Sequence, residues 1–211
     1  MPDKEKALNV YRLINELNDK DWMVRQEAVF KLSLLGYKSE NVEKYLINAL
    51  SDYHWRVRKE AAHTLGKLWI DKEKVKDALL KALNDHNRDV KAMSAWALGD
   101  LGLKSEKVKQ ALLNALNALN DDDWYVRSRA TEALGSLGFK SEKVKNAILI
   151  ALEDDDWCVR SRAAEALGKL GIKSKKIKEA LLKSFNDENC DVRESAKSSL
   201  LKLGFIKQED K

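Results

Sequence analysis

The chain has 211 residues, 35% charged and 44% hydrophobic, with a formal net charge of +5, a single proline and nine glycines. That apolar content is enough for a core and excludes a wholly disordered chain. A mean hydropathy of −0.51 and the lack of any apolar run of about 18 residues exclude a membrane-spanning helix.

A proline-free interior favours long helices. The opening MPDKEKALNV has no apolar leader region, so a cytoplasmic location is expected. Along the chain, a valine followed by a basic residue recurs at Val24, Val57, Val90, Val126, Val159 and Val192, at spacings of 33, 33, 36, 33 and 33. This frame predicts six repeats, approximately 4–36, 37–69, 70–102, 103–138, 139–171 and 172–204, in one domain, with a polar tail at 205–211.

Each repeat predicts two helices. The first, as in SEKVKQALLNAL, places Val108, Leu112, Leu113 and Leu116 on one face. Ser39, Ser105, Ser141 and Ser174 precede it as N-caps. The second, as in VRSRATEALGSL, places Val126, Ala130, Leu134 and Leu137 on one face. The residue three before the anchor valine (Asp, Asn or, once, His54) is its expected N-cap.

Repeat 1 is degenerate and brings Met23, Phe30 and Leu34. Repeat 2 brings a basic row of Arg56, Lys59, His63 and Lys67. Repeat 3 holds Trp96 and ends in ALLNALNALN, whose three extra residues account for the 36-residue spacing. They would lengthen the helix by about 4.5 Å and change the twist toward repeat 4. Repeats 4 and 5, starting WYVRSRATEALG and WCVRSRAAEALG, are near copies. Repeat 6 carries Lys197 where earlier repeats have Val29, Ala62, Ala95, Thr131 and Ala164, which fits an end with no neighbour to cover it.

All nine glycines fall in two columns. Gly36, Gly102, Gly138, Gly171 and Gly204 follow the second helix, where a C-terminal residue often takes positive φ. Gly66, Gly99, Gly135 and Gly168 lie inside it, at a cost that close approach of the neighbouring helix would offset. None is left for a phosphate-binding loop.

The pattern D-x-D-W-x-V-R-x-x-A-A-x-A-L-G, preceded by an amphipathic helix, resembles the HEAT repeat, most closely the HEAT-like repeats of phycobilisome-lyase relatives and of consensus-designed libraries. The resemblance covers roughly the whole chain and is best in repeats 4 and 5. It implies an all-α, right-handed solenoid of six helical hairpins, about twelve helices, holding partners on a concave face formed by the second helices. It also implies a lateral ladder in which Asp19, Asp52, Asp85, Asp121, Asp154 and Asp187 meet Arg25, Arg58, Lys91, Arg127, Arg160 and Arg193 between repeats. Lysine cannot form a bidentate fork, so the rung at Lys91 is expected to be weakest.

A helical wheel assigns the face opposite the core to anchor −1, +2, +6 and +10, where residues vary from repeat to repeat. The expected partner-contacting residues are Met23, Phe30, Arg56, Lys59, His63, Met93, Trp96 and Tyr125. The column Trp22, Trp55, Trp124 and Trp157 reads as inter-repeat packing. That stripe holds five basic residues against six acidic ones, which argues against nucleic acid; the excess lysines fall on the first helices and read as solvated. No Gly-rich loop, G-x-S-x-G, H-E-x-x-H or CxxC occurs, so no catalytic residue, metal or cofactor is expected. Cys158 and Cys190, without a framework, read as free thiols.

The leading expectation is a monomeric, non-catalytic scaffold for a protein or peptide. A nucleic-acid-binding or repair-type protein and a lyase or cofactor chaperone are the alternatives. A designed binder fits the irregular ends less well.

Overall fold

A computed structural model describes residues 2–35, 40–68, 72–117 and 123–207. Among these there are twelve α-helices and no strand. Ser39, Gly36, Trp69, Asp121 and most of the three-residue excess lie outside the described residues, so the expectations placed on them do too.

The helices pair as the repeats predict. They run α1 (Pro2–Glu16), α2 (Trp22–Leu35), α3 (Glu40–Ala49), α4 (Trp55–Leu68), α5 (Lys72–Ala82) and α6 (Arg88–Asp100). Then follow α7 (Glu106–Leu116), α8 (Trp124–Ser136), α9 (Glu142–Ala151), α10 (Trp157–Leu170), α11 (Lys175–Ser184) and α12 (Cys190–Lys202). The chain forms two compact units, Met1–Leu103 and Lys104–Lys211. In the first, α2, α4 and α6 pack side by side and α1, α3 and α5 each cover their own partner. In the second, α8, α10 and α12 form the row, covered by α7, α9 and α11.

The core of each unit lies between these two layers. Val42, Leu46, Val75, Leu79, Val108, Leu112, Val144, Ile148, Ile177 and Leu181 from the first helices are buried against the apolar face of the second. Each such side chain contributes about 1.5–3 kcal/mol. Helix ends follow from single residues. Ser105, Ser141 and Ser174 accept from the N–H three residues on, at 3.2, 3.4 and 3.3 Å. Asn87, Asp156 and Asn189 cap the second helices. Gly102, Gly138, Gly171 and Gly204 adopt φ of 65–69°, closing them.

Three local expectations need correction. His54 does not cap α4: its ring stacks on Trp22 with centroids 3.9 Å apart, and its Nδ1 has no hydrogen-bond partner among the described residues. Asp123 precedes α8 with a distorted backbone (φ −108°, ψ 63°) and no side-chain cap bond. The excess residues of repeat 3 do not lengthen α7, which ends at Leu116 where the N–H of Asn117 closes onto the Leu113 carbonyl at 2.9 Å. Residues 118–122 lie outside the described residues, and with them the expected change of twist.

Candidate functional site

Four arginines after the anchor valine tie a repeat to the next within each unit. Arg25 Nε and Nη2 donate to Asp52 at 2.7 and 2.9 Å. The same fork joins Arg58 to Asp85 at 2.7 and 2.8 Å, Arg127 to Asp154 at 2.8 Å twice, and Arg160 to Asp187 at 2.8 and 3.0 Å. Nη1 of Arg25 turns back to the carbonyls of Asp19 and Lys20, as that of Arg58 does to Asp52 and Tyr53. Each aspartate also accepts the N–H two residues on, for instance His54 N to Asp52 at 2.8 Å. Burial alone would raise the Asp52 carboxyl, but the Arg25 hydrogen bonds and that N–H outweigh it and hold it below the usual range. Asp85 and Asp187 behave alike. Carboxylates so fully engaged are poor candidates for acid–base chemistry. In the last repeat Arg193 donates to the carbonyls of its own turn, Asp187 and Glu188, at 2.8 Å each.

The seams between second helices are set by the interior glycines. A Cβ on Gly66 would lie 2.9 Å from the Trp96 ring and 3.0 Å from Ala97 Cβ. On Gly135 it would lie 2.6 and 2.7 Å from Cβ and Cα of Ala166. Only glycine admits that approach.

This seam narrows the expected partner-facing stripe. Within the second unit the anchor+2 positions Ser128 and Ser161 are buried at 5 and 9% exposure, on the side where α8 and α10 meet the next helix of the row. Ser161 and Ser195 Oγ meet across it at 2.9 Å. The open face is therefore rotated toward anchor −2, −1, +3 and +6.

In the first unit Met23, Phe30 and Leu34 are exposed on α2. Arg56 lies over the rings of Trp22 and Trp55, 5.0 and 5.2 Å from their centroids. His63 Nδ1 approaches Glu60 at 3.4 Å, and its ring tilts against Trp96 at 5.3 Å. Lys59, Met93 and Trp96 are half-buried, so only part of each is open to a partner.

In the second unit α8, α10 and α12 line a cleft of about 550 Å³. It contains Tyr125 together with side chains outside the wheel's stripe, among them Trp124, Trp157, Arg129 and Arg162. The small residues at anchor+2 of repeats 4 and 5, Ser128 and Ser161, were the available signal, since small side chains there mark a seam. Arg129 donates to Glu132 at 2.9 Å and lies over the Tyr125 ring at 5.4 Å; Arg162 donates to Glu165 at 2.8 Å. Cys158 is in the same cleft, but burial and then Asp156 push its thiol up, away from a reactive thiolate. Among the described residues no group of three or more metal-ligating side chains converges, and no helix is long and apolar enough to cross a membrane.

The sequence model for HEAT repeats matches residues 10–75 and 114–201. The chain belongs to the HEAT-repeat family. No curated protein matches its sequence. Solved structures similar to this HEAT-repeat chain include the complex of CpcE and CpcF of phycocyanin lyase from Nostoc sp. PCC7120, at 24% identity and a TM-score of 0.69, over 91% of this chain and 76% of that one. An engineered protein matches at 20% identity and a TM-score of 0.63, over 93% and 97% of the two chains. A designed armadillo repeat protein in complex with the peptide (KR)4 matches at 20% identity and a TM-score of 0.62, over 91% and 98%. At these identities the likeness establishes the fold.

Proposed function

We propose that this HEAT-repeat chain is a non-catalytic scaffold, monomeric and cytoplasmic, that holds a protein or peptide partner against its second helices. The observation that carries the reading is a division of labour. The residues that repeat, the Asp–Arg forks and seam glycines, are spent on holding helices together. The residues that vary, Met23, Phe30, Arg56, His63, Trp96 and Tyr125, sit on the second-helix faces. Aromatic and arginine side chains are the commonest binding anchors. A designed armadillo repeat protein of similar fold is in complex with the peptide (KR)4, which supports a peptide partner.

The lyase-type alternative draws only on fold likeness, and fold does not carry function. The nucleic-acid alternative needs a basic face, and the arginines of the second-unit cleft are already neutralised by Glu132 and Glu165. It would show as steeply salt-dependent DNA or RNA binding.

The deciding experiment is affinity capture with wild type beside the double variant Phe30→Ala/Trp96→Ala. Proteins retained by the wild type and lost from the variant support the reading. Identical sets from both baits overturn it.

A further inference from the structure

We propose that the cleft between α8, α10 and α12 takes an arginine side chain from a basic segment of the partner, its guanidinium lying over Trp124 and Trp157. This deepens the scaffold reading and rests on it.

The first unit contains the occupied form of the same site. There, the tryptophans of two consecutive repeats, Trp22 and Trp55, share one guanidinium, that of Arg56, 5.0 and 5.2 Å from the two centroids. Arg56 is the residue immediately before the anchor valine of the second of those repeats. In the second unit the equivalent tryptophans are Trp124 and Trp157, and the residue equivalent to Arg56 is Cys158. The pair has lost its internal cation, and both indoles are open, 39% and 42% exposed. A guanidinium stacked on an aromatic face gains from the ring quadrupole, and more as water is displaced.

The charges around the cleft select the same occupant. Arg129 and Arg162 are paired with Glu132 and Glu165, so an anion would have to break those pairs. The N–H groups that open α10 and α12 are taken by Asp156 and Asn189. Facing the indoles from α12 are Asp191 and Glu194, both exposed. Among the described residues Glu194 has no ion-pair partner, and Asp191 receives only a thiol contact from Cys190 at 3.8 Å. Unspent negative charge beside uncovered tryptophans fits a cation.

The test titrates the full chain against a fluorescein-labelled peptide of alternating arginine and glycine, with a glutamate–glycine peptide as counterpart, read by anisotropy. The arginine peptide should bind and the glutamate peptide should not. Cys158→Arg should supply the cation internally and weaken binding about tenfold, while Cys158→Ser leaves it unchanged. Glu194→Gln, at an exposed site, should weaken it about threefold, a charge effect that packing does not mimic. Failure of the arginine peptide to bind wild type, equal binding to all variants, or preference for the glutamate peptide would each overturn the proposal. The scaffold reading is judged separately, by the Phe30/Trp96 capture experiment, which does not involve this cleft.

Discussion

The two units build one frame from different side chains. In Met1–Leu103 the tryptophan column is covered from within: His54 stacks on Trp22, and Arg56 spans Trp22 and Trp55. In Lys104–Lys211 the same column is open. The seams differ in the opposite sense. At Gly66 the Trp96 ring and Ala97 would stand 2.9–3.1 Å from an added Cβ, whereas at Gly135 Ala166 Cβ and Cα would stand closer, at 2.6 and 2.7 Å. Family membership thus fixes where a column points, and the residue in it decides whether the column is closed or left for a partner.

The largest effect expected is on the ladder. Arg25 is the most enclosed of the four forks, with side-chain exposures of 4% for it and 10% for Asp52. It also donates to the Tyr53 hydroxyl at 2.8 Å and lies over that ring. Arg25→Ala leaves Asp52 without its counter-ion and should cost about 3 kcal/mol. Arg160→Ala, where a second carboxylate is fully solvated, should cost less. Denaturant unfolding of both variants checks the order; equal losses would erase this difference between the units.

Acid acts on the same forks. Asp52, Asp85 and Asp187 are held below the ordinary Asp value of 3.8. A depressed folded pKa gives stability that is full above the unfolded value and is lost as pH falls through the lower folded one. Unfolding free energy should therefore change little from these groups down to about pH 5 and fall steeply below about pH 4. A decline centred between pH 6 and 7 would point to histidine instead.

The seams come next. Gly135→Ala gains about 1 kcal/mol in helix propensity. It nevertheless drives a methyl into the Ala166 backbone, which cannot step aside, for a net loss of about 2 kcal/mol. At Gly66 the obstacle includes a half-open ring edge, and Gly66→Ala should be within about 1 kcal/mol of wild type. Thermal melts of the pair would test whether the second unit has the tighter seam.

How much of this the sequence carried depends on the kind of residue. The frame, the caps at Ser105, Ser141 and Ser174 and the place of the glycines follow from local rules, because each depends on a helix's own backbone. The residues of the open second-helix face were only half legible. A wheel treats one helix alone, so it put Ser128 and Ser161 on the open face, although the next helix covers them. It also left out Arg129 and Arg162, one step round. His54 was read as a cap because its position is a cap elsewhere; the neighbouring Trp22 ring, a repeat away, offers a flat partner that wins. The paired glutamates at anchor+6 could be seen, but not that they spend the charge of the arginines three residues before.

The smallest expected effect on stability is the most informative about function. Arg56 is exposed, and removing its side chain should cost under about 1 kcal/mol, chiefly the ring contacts with Trp22 and Trp55. If Arg56 is the internal occupant of a site that the second unit leaves empty, Arg56→Ala should expose a second pair of indoles to the arginine peptide. Stoichiometry by calorimetry would then rise from one peptide per chain toward two, with the new site the weaker. His54 still covers one face of Trp22, and the position equivalent to Glu194 is Ala92, which brings no charge. An unchanged stoichiometry with unchanged affinity would mean that the acidic wall of α12, rather than the tryptophan pair, is what makes the second-unit cleft a site.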